Sequence, residues 1–242
     1  MRKQTTTTFG ILSLIAAVLF VFGNTASANT ILLNFGAASS AVGGNGSLDV
    51  GGTWNSIVTP NNDLAAGSVV NSANTVVTGV SINTSNFRSA ALANTGSWAG
   101  STPWVDLDAA TNTWYYGGTD ATPATIVISG LTDLEYKLDF LAIRSSSPAN
   151  ERSADYDVNG SFGDSTPDGD NFNANIDGWN GGNVLGWSSI TPAGGTISIT
   201  ITKIDGANYG YATALRLTAI PTPSAAAGGL ALLVITTLRR RG

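Results

Sequence analysis

Residues 29–220 predict an all-β fold, an antiparallel sandwich, and three observations carry that expectation. Short runs of β-branched and aromatic residues alternate with polar ones in period two. Clusters of Gly, Asn, Asp, Pro and Ser separate them. No apolar stretch in the region keeps a helical period over ten or more positions. Such alternation belongs to strands with one buried and one wet face, as in antiparallel sheets.

The first strand is expected at 31–35 and the next at 76–82, with polar, Gly-rich loops at 38–52 and 59–74. Residues 113–116 predict a short strand with Trp114 and Tyr116 pointing one way and Tyr115 the other. Strands follow at 125–129 and 135–143. In the second, Tyr136, Leu138 and Phe140 share the buried face, while Lys137 and Asp139 point outward. Another is expected at 153–158, between loops at 145–152 and 160–182. Within the strand expected at 195–204, the run 196–202 turns its Ile residues to the core and its Thr residues to solvent, and the last strand is 213–220. Loops this long in a compact domain are mostly functional or mobile.

Composition narrows the chemistry. Of 242 residues only 11% are charged, against about 25% in a usual soluble domain. There is no Cys and no His. That excludes disulfides, a thiol nucleophile, a Ser-His-Asp triad, and zinc or haem held by His or Cys. A net charge of −5 speaks against a nucleic-acid partner, which needs a basic field.

Both ends read as addresses. Arg2 and Lys3 precede an apolar run at 9–22, and Ala26, Ser27 and Ala28 form a small-x-small site for signal peptidase before Asn29. Fourteen residues of helix rise about 21 Å, short of the roughly 30 Å of a bilayer core. At the other end Pro221, Thr222, Pro223 and Ser224 break regular structure ahead of an apolar run at 225–238 and the cluster Arg239, Arg240 and Arg241. Prolines stop the helix from extending upstream, and the arginines hold that end on the cytoplasmic side. This tail resembles the PEP-CTERM sorting signal of bacterial exoproteins: Pro-x-Pro, a short apolar helix and terminal arginines, with Thr222 where that family has Glu. The resemblance implies transient anchoring in the inner membrane, removal by an exosortase, and delivery to the cell surface or extracellular matrix. An uncleaved C-terminal anchor is the alternative. Five of the eleven basic residues lie in these ends and all sixteen acidic residues between them. The mature domain then carries six cations against sixteen anions, a net charge of −10.

The order of elements in the middle resembles the jelly-roll, galactose-binding-like domains of surface proteins that carry such tails. The likeness rests on Asn34, Phe35 and Gly36, on Trp54 and Asn55, and on Gly130 and Leu131 with Tyr136. Arg144 and Arg152 around a Ser-rich loop, and Tyr209, Gly210 and Tyr211 before the last strand, complete it. A fibronectin-like sandwich competes, because Gly130-Leu131 followed by Tyr136 also suits a tyrosine corner.

Four sets of residues are candidates for function. Asp155, Asp157 and Asn159 alternate on one strand face, with Asp164, Asp168, Asp170 and Asp177 downstream. The spacing opens like an EF-hand loop, but Thr166 stands where the bidentate Glu belongs. A calcium site built on Asp155, Asp157, Asn159, Asp168 and Asp170 is one expectation, and plain turn formation is the other. Trp98, Trp104, Trp114, Tyr115 and Tyr116 fall close together and predict a platform for sugar rings, provided at least three are exposed on one face. Buried, they point to a structural protein. Trp179 and Trp187 predict a second platform on the same condition. Arg144 and Arg152 bracket a loop and could clamp a carboxylate, for example a uronic acid, or pair with Asp139 and Asp155.

Catalysis has few parts to use. Glu135 and Glu151 are the two Glu residues, and the Glu-x-Asp-x-x-Glu pattern of jelly-roll glycosidases is absent. The expected function is non-catalytic binding or organisation of extracellular polysaccharide. A structural or adhesive surface protein is the alternative, and a carbohydrate-active enzyme the second.

Overall fold

The computed structural model describes residues 30–36, 53–89, 94, 98–100, 114–118, 122–132, 134–145, 152–204, 206–207 and 209–220. The signal at 1–28, the tail from Pro221, Thr222 and Pro223 to Arg239, Arg240 and Arg241, and Trp104 lie outside the described residues. The elements are β1 (Thr30–Phe35), β2 (Asn55–Ile57), β3 (Asp63–Leu64), β4 (Ser81–Ser85), β5 (Phe87–Ser89), β6 (Tyr115–Gly117) and β7 (Ala124–Ser129). Then come β8 (Glu135–Leu141), β9 (Ser153–Val158), β10 (Phe172–Asn173), a π-helical segment (Ala174–Asn180), β11 (Leu185–Ile190), β12 (Thr196–Lys203), β13 (Gly210–Ala212) and β14 (Ala214–Ile220).

Period-two alternation sorts these strands into sheets with an inner and an outer face. Ile197, Ile199 and Ile201 of β12 are buried, while the residues between them are half-buried. Tyr136, Leu138 and Phe140 of β8 turn inward, and Lys137 and Asp139 outward, as the sequence predicts. A five-stranded sheet runs in the order β11-β8-β14-β1-β2, and a six-stranded one in the order β10-β9-β12-β7-β4-β3. Apolar rows from both fill one shared core, including Phe35, Ile57, Leu138, Phe140 and Leu217 from the first and Ile82, Ile126, Ile128, Tyr156 and Ile199 from the second. Two sheets enclosing one core are a β-sandwich, and full burial of each such Leu or Ile stabilises it by about 1.5–3 kcal/mol. Among the described residues every strand pairing is antiparallel except β1 with β2. No helix among the described residues is long and apolar enough to cross a membrane.

Local departures have physical causes. β1 is buried on both faces, and Asn55 ties the chain near Val70 to it. The Asn55 amide donates to the carbonyls of Leu32 (3.1 Å) and Val70 (2.7 Å) and accepts from the Val70 N–H (2.9 Å). The strand expected at 76–82 starts only at Ser81, since the chain turns at Gly79 with φ +82°, a conformation that favours glycine. The loop expected at 160–182 contains β10 and the π-helical segment.

The third sheet, ordered β13-β6-β5, positions the site. It is joined directly to the sandwich, because β13 runs into β14 through the buried Thr213. The Thr213 N–H donates to the Leu141 carbonyl, and its own carbonyl accepts from the Phe35 N–H, both at 3.0 Å. Gly210 lets the small sheet press closely on its neighbour: a Cβ there would collide with Ile201 and approach Ala154.

Candidate functional site

Alternation on the small sheet separates two sets of side chains. Phe87, Tyr115 and Ala212 join the main core. On the opposite face Arg88, Tyr116 and Tyr211 stand in register across the three strands. Trp114 and Tyr209, each two positions away along its chain, fall on that same face. The rings touch: Trp114 lies 5.9 Å from Tyr116 and 5.5 Å from Tyr211, and Tyr116 lies 4.8 Å from Tyr209. Exposure grades along the face. Trp114 and Tyr211 are buried against Ala174, Tyr116 and Tyr209 are half-buried, and Arg88 is exposed.

Three guanidiniums sit on these rings. Arg144 Cζ lies 4.1 Å from the Trp114 ring, Arg152 Cζ 5.4 Å from Tyr211, and Arg88 Cζ 5.9 Å from Tyr209. An Arg152 Nη1 also donates to the Tyr211 hydroxyl. None of the three forms an ion pair with a carboxylate among the described residues. Asp139, which could have paired with Arg144, is held by Arg216: Nε and Nη2 donate to Oδ2 at 2.8 and 2.6 Å, with Lys137 at 3.3 Å from Oδ1. Asp155 faces outward and accepts from the Asn171 N–H at 2.9 Å. The pairing of Arg144 and Arg152 with those two acids is therefore not formed.

Backbone bonds from the π-helical segment fix both arginines. The Arg144 N–H donates to the Ala174 carbonyl (2.9 Å), and the Ala174 N–H to the Arg152 carbonyl (3.0 Å). Asn175 Nδ2 donates to the Arg144 carbonyl at 2.8 Å. The segment is itself held at its start by Asn173, whose Oδ1 accepts from the N–H groups of Asn175 and Ile176 at 2.9 Å each. Asn173 Nδ2 reaches Ser153 Oγ at 2.9 Å, tying the cap to β9. π-Helical turns are rare and occur often at functional sites.

The electrostatics of the cluster are unusual for a protein interior. Arg144 is only 9% exposed, and its Nη1 donates to Asn94 Oδ1 at 3.5 Å. Burial pulls its pKa down, the neighbouring Tyr211 offsets part of that, and Arg152 adds to it. Burial pushes the Tyr211 hydroxyl up, partly offset by Arg152 and Arg144. A cation–π contact is worth about 0.5–2 kcal/mol, whereas removing an ion from water costs several kcal/mol. Stacking on Trp114 does not offset the burial of Arg144.

Other expected sites take a different form. Trp98, Trp114 and Tyr115 are 8%, 6% and 0% exposed, so the platform expected of them is not formed, and Trp104 lies outside the described residues. Trp98 donates through Nε1 to the Gly178 carbonyl (2.8 Å) and packs with Trp179, Leu141 and Ile143 in a small separate core. Trp187 is buried in the main core, which removes the second platform. For the calcium expectation, no three acidic side chains among the described residues converge on one point. The oxygens of the candidate residues accept backbone N–H groups in nearby turns and on the neighbouring strand β12. Asp157 accepts from the Gly160 N–H (2.8 Å), Asn159 from Ser198 (3.0 Å), and Asp168 from Asp170 (3.2 Å). Asp155 is taken by Asn171, as noted. Arg88, Tyr209 and Tyr211 were not among the expected site residues. The signal that marks them is cation scarcity: three of the six basic residues between 29 and 220 lie on this face.

No family model and no curated protein sequence matches the chain. Among solved structures it is similar to the YXIM protein of Bacillus subtilis, at 13% identity and TM-score 0.46, over 79% of this chain and 40% of that one. It is similar to the ANX2 ectodomain of Arabidopsis thaliana, at 17% identity and TM-score 0.46, over 81% of this chain and 51% of that one. A family 35 carbohydrate-binding module from Clostridium thermocellum matches at 14% identity and TM-score 0.34, over 57% of this chain and 92% of that one. The chain thus spans about half or less of the first two, at 40% and 51%.

Proposed function

We propose that the mature domain is a non-catalytic binding module for extracellular polysaccharide, on a jelly-roll sandwich of galactose-binding-like type. The N-terminal signal exports it, and the C-terminal tail sorts it to the cell surface or matrix through an exosortase-type enzyme. One observation supports the binding reading above the rest. A single sheet face gathers Arg88, Arg144 and Arg152 among Trp114, Tyr116, Tyr209 and Tyr211, and it opens to solvent at Tyr116, Tyr209 and Arg88. Flat rings with a wet edge and clustered N–H donors suit an oxygen-rich sugar chain. Catalysis has less support: a general base works best with a pKa near the working pH, and burial moves Tyr211 away from that range.

A structural or adhesive surface protein is the second reading, favoured by the burial of Trp98, Trp114 and Tyr115. Affinity electrophoresis of the secreted protein against a panel of neutral and acidic polysaccharides separates the two. Retardation by at least one polymer is expected, with Tyr116→Ala and Tyr209→Ala each weakening it about two- to tenfold. No retardation across the panel would leave the structural reading. The intact mass of the same sample checks the export proposal, which expects a chain that begins at Asn29 and has lost Arg239, Arg240 and Arg241.

A further inference from the structure

Three N–H donors in the cluster have no acceptor from the protein although all are buried: Trp114 Nε1, Arg144 Nε and Arg152 Nε. They belong to side chains in mutual contact, with Arg144 on Trp114 at 4.1 Å, Trp114 against Tyr211 at 5.5 Å, and Arg152 on Tyr211 at 5.4 Å. A buried donor left without an acceptor is destabilising, and a buried like-charged pair is more so. Arg152 is close enough to disfavour charge on Arg144. The ion pair between Asp139 and Arg216 lies elsewhere, on the five-stranded sheet.

Resting on the polysaccharide-binding reading, we propose that this face recognises a carboxylate-bearing pyranose, a uronate residue of an acidic polysaccharide. Arg144 and Arg152 take the carboxylate, the Trp114 N–H adds a donor, and Tyr116 and Tyr209 receive the ring. The chemistry selects this class on three grounds. The cluster offers donors and positive charge with no carboxylate of its own among the described residues, so an anion satisfies both needs, whereas neutral hydroxyls leave the charge uncompensated. Planar guanidinium forks match a carboxylate. The half-buried tyrosines beside them supply the flat apolar surface that a sugar ring needs and a bare anion does not. Affinity is local, because the domain as a whole carries six cations against sixteen anions and repels an acidic polymer at long range. Added salt screens that repulsion beyond about 8–10 Å, so binding survives moderate salt where a surface basic patch would release its ligand.

The test is calorimetric titration of the secreted protein with an oligogalacturonate and with its methyl ester, which keeps the size and removes the charge. Binding to the acid, with the ester at least about tenfold weaker, is expected. Arg144→Met and Arg152→Met should each weaken binding to the acid by about ten- to a hundredfold. Their melting temperatures should stay level or rise, because each removes a buried Nε without an acceptor and a charge without a carboxylate partner among the described residues. A merely structural pair of arginines would give the opposite: lower melting temperatures and unchanged binding. Equal binding of acid and ester overturns the carboxylate assignment and leaves the polysaccharide reading standing. Binding of neither, with no polymer of the panel retained, removes both. If one arginine variant fails to fold, the comparison of acid with ester in the unmodified protein still decides.

Discussion

Tyr156→Ala is expected to lower the stability of the domain by about 4–8 kcal/mol, moving the melting temperature down by roughly 10–30 °C. Tyr156 is fully buried on β9, with Phe140 at 5.7 Å on one side and Phe172 at 5.8 Å, edge-on, on another. Removing a buried aromatic ring costs about 3–5 kcal/mol through lost transfer energy and the cavity left behind. The hydroxyl adds a second loss, because it accepts the Tyr211 N–H at 2.9 Å in a site closed to water. Leaving that donor without an acceptor costs about 1–3 kcal/mol. Tyr156→Phe isolates this part: it keeps the ring stack and should lose only about 1–3 kcal/mol. The same variant should also weaken ligand binding, because the Tyr211 backbone it loosens carries the hydroxyl that Arg152 contacts. Denaturant titrations of both variants check the stabilities. A neutral Tyr156→Phe would mean that the bond to Tyr211 contributes nothing to the fold.

How much of this was legible in the sequence depends on whether a residue's role is set by its own strand or by a distant one. β12 could be read almost whole, since Ile197, Ile199 and Ile201 alternate with hydroxyl residues and burial follows that pattern. β8 and β9 were equally plain. By contrast β3 and β10 have two residues each, too few to show a period; their pairing with β4 and β9 creates them. Trp114, Tyr115 and Tyr116 show the boundary of the method. Their alternation gave the correct division of faces, but which face another layer would cover was set by Ala174 and Tyr211, far along the chain.

The site was half legible for the same reason. Arg144 and Arg152 stood out by flanking a loop, and Asp139 and Asp155 were reasonable partners by proximity in sequence. Strand register decided otherwise: β14 lies beside β8 with Arg216 opposite Asp139, so that acid is taken by a cation 77 positions away. The acidic residues after 155 illustrate the converse. Asp and Asn at alternate positions suit both a calcium ligand set and a series of turn closures, and only convergence in space distinguishes them. Here Asp157 bonds three residues ahead, while Asn159 bonds a neighbouring strand, so their oxygens are directed to different tasks.

Stability should fall steeply above about pH 10, and the cause is a set of three buried phenols. Burial pushes the hydroxyls of Tyr115 and Tyr156 well above the usual tyrosine range, and raises Tyr211 in the same direction against the pull of Arg152 and Arg144. Tyr115 donates to the Ile57 carbonyl, and Tyr156 accepts from Tyr211, so neither site is built for a phenolate. In the unfolded chain these groups lose their protons near pH 10. Above that pH the unfolded state binds fewer protons than the native one, so the equilibrium moves toward unfolding as pH rises. The stabilisation is fully present below about pH 10 and is lost progressively above it. Each tyrosine contributes up to about 1.4 kcal/mol per pH unit, and the three together up to about 4 kcal/mol per unit, until the native protons also leave. Set against a typical stability of about 5–15 kcal/mol, this brings cooperative unfolding within roughly one to four units of pH 10. Denaturant midpoints measured at about pH 9, 10 and 11, with the ultraviolet spectrum of ionised tyrosine followed alongside, test the sign and the slope. The spectrum should show three of the six tyrosines ionising together with unfolding rather than before it. Ionisation of Tyr115, Tyr156 and Tyr211 near pH 10 in a still-folded protein would contradict the burial on which both the small sheet and the arginine cluster depend.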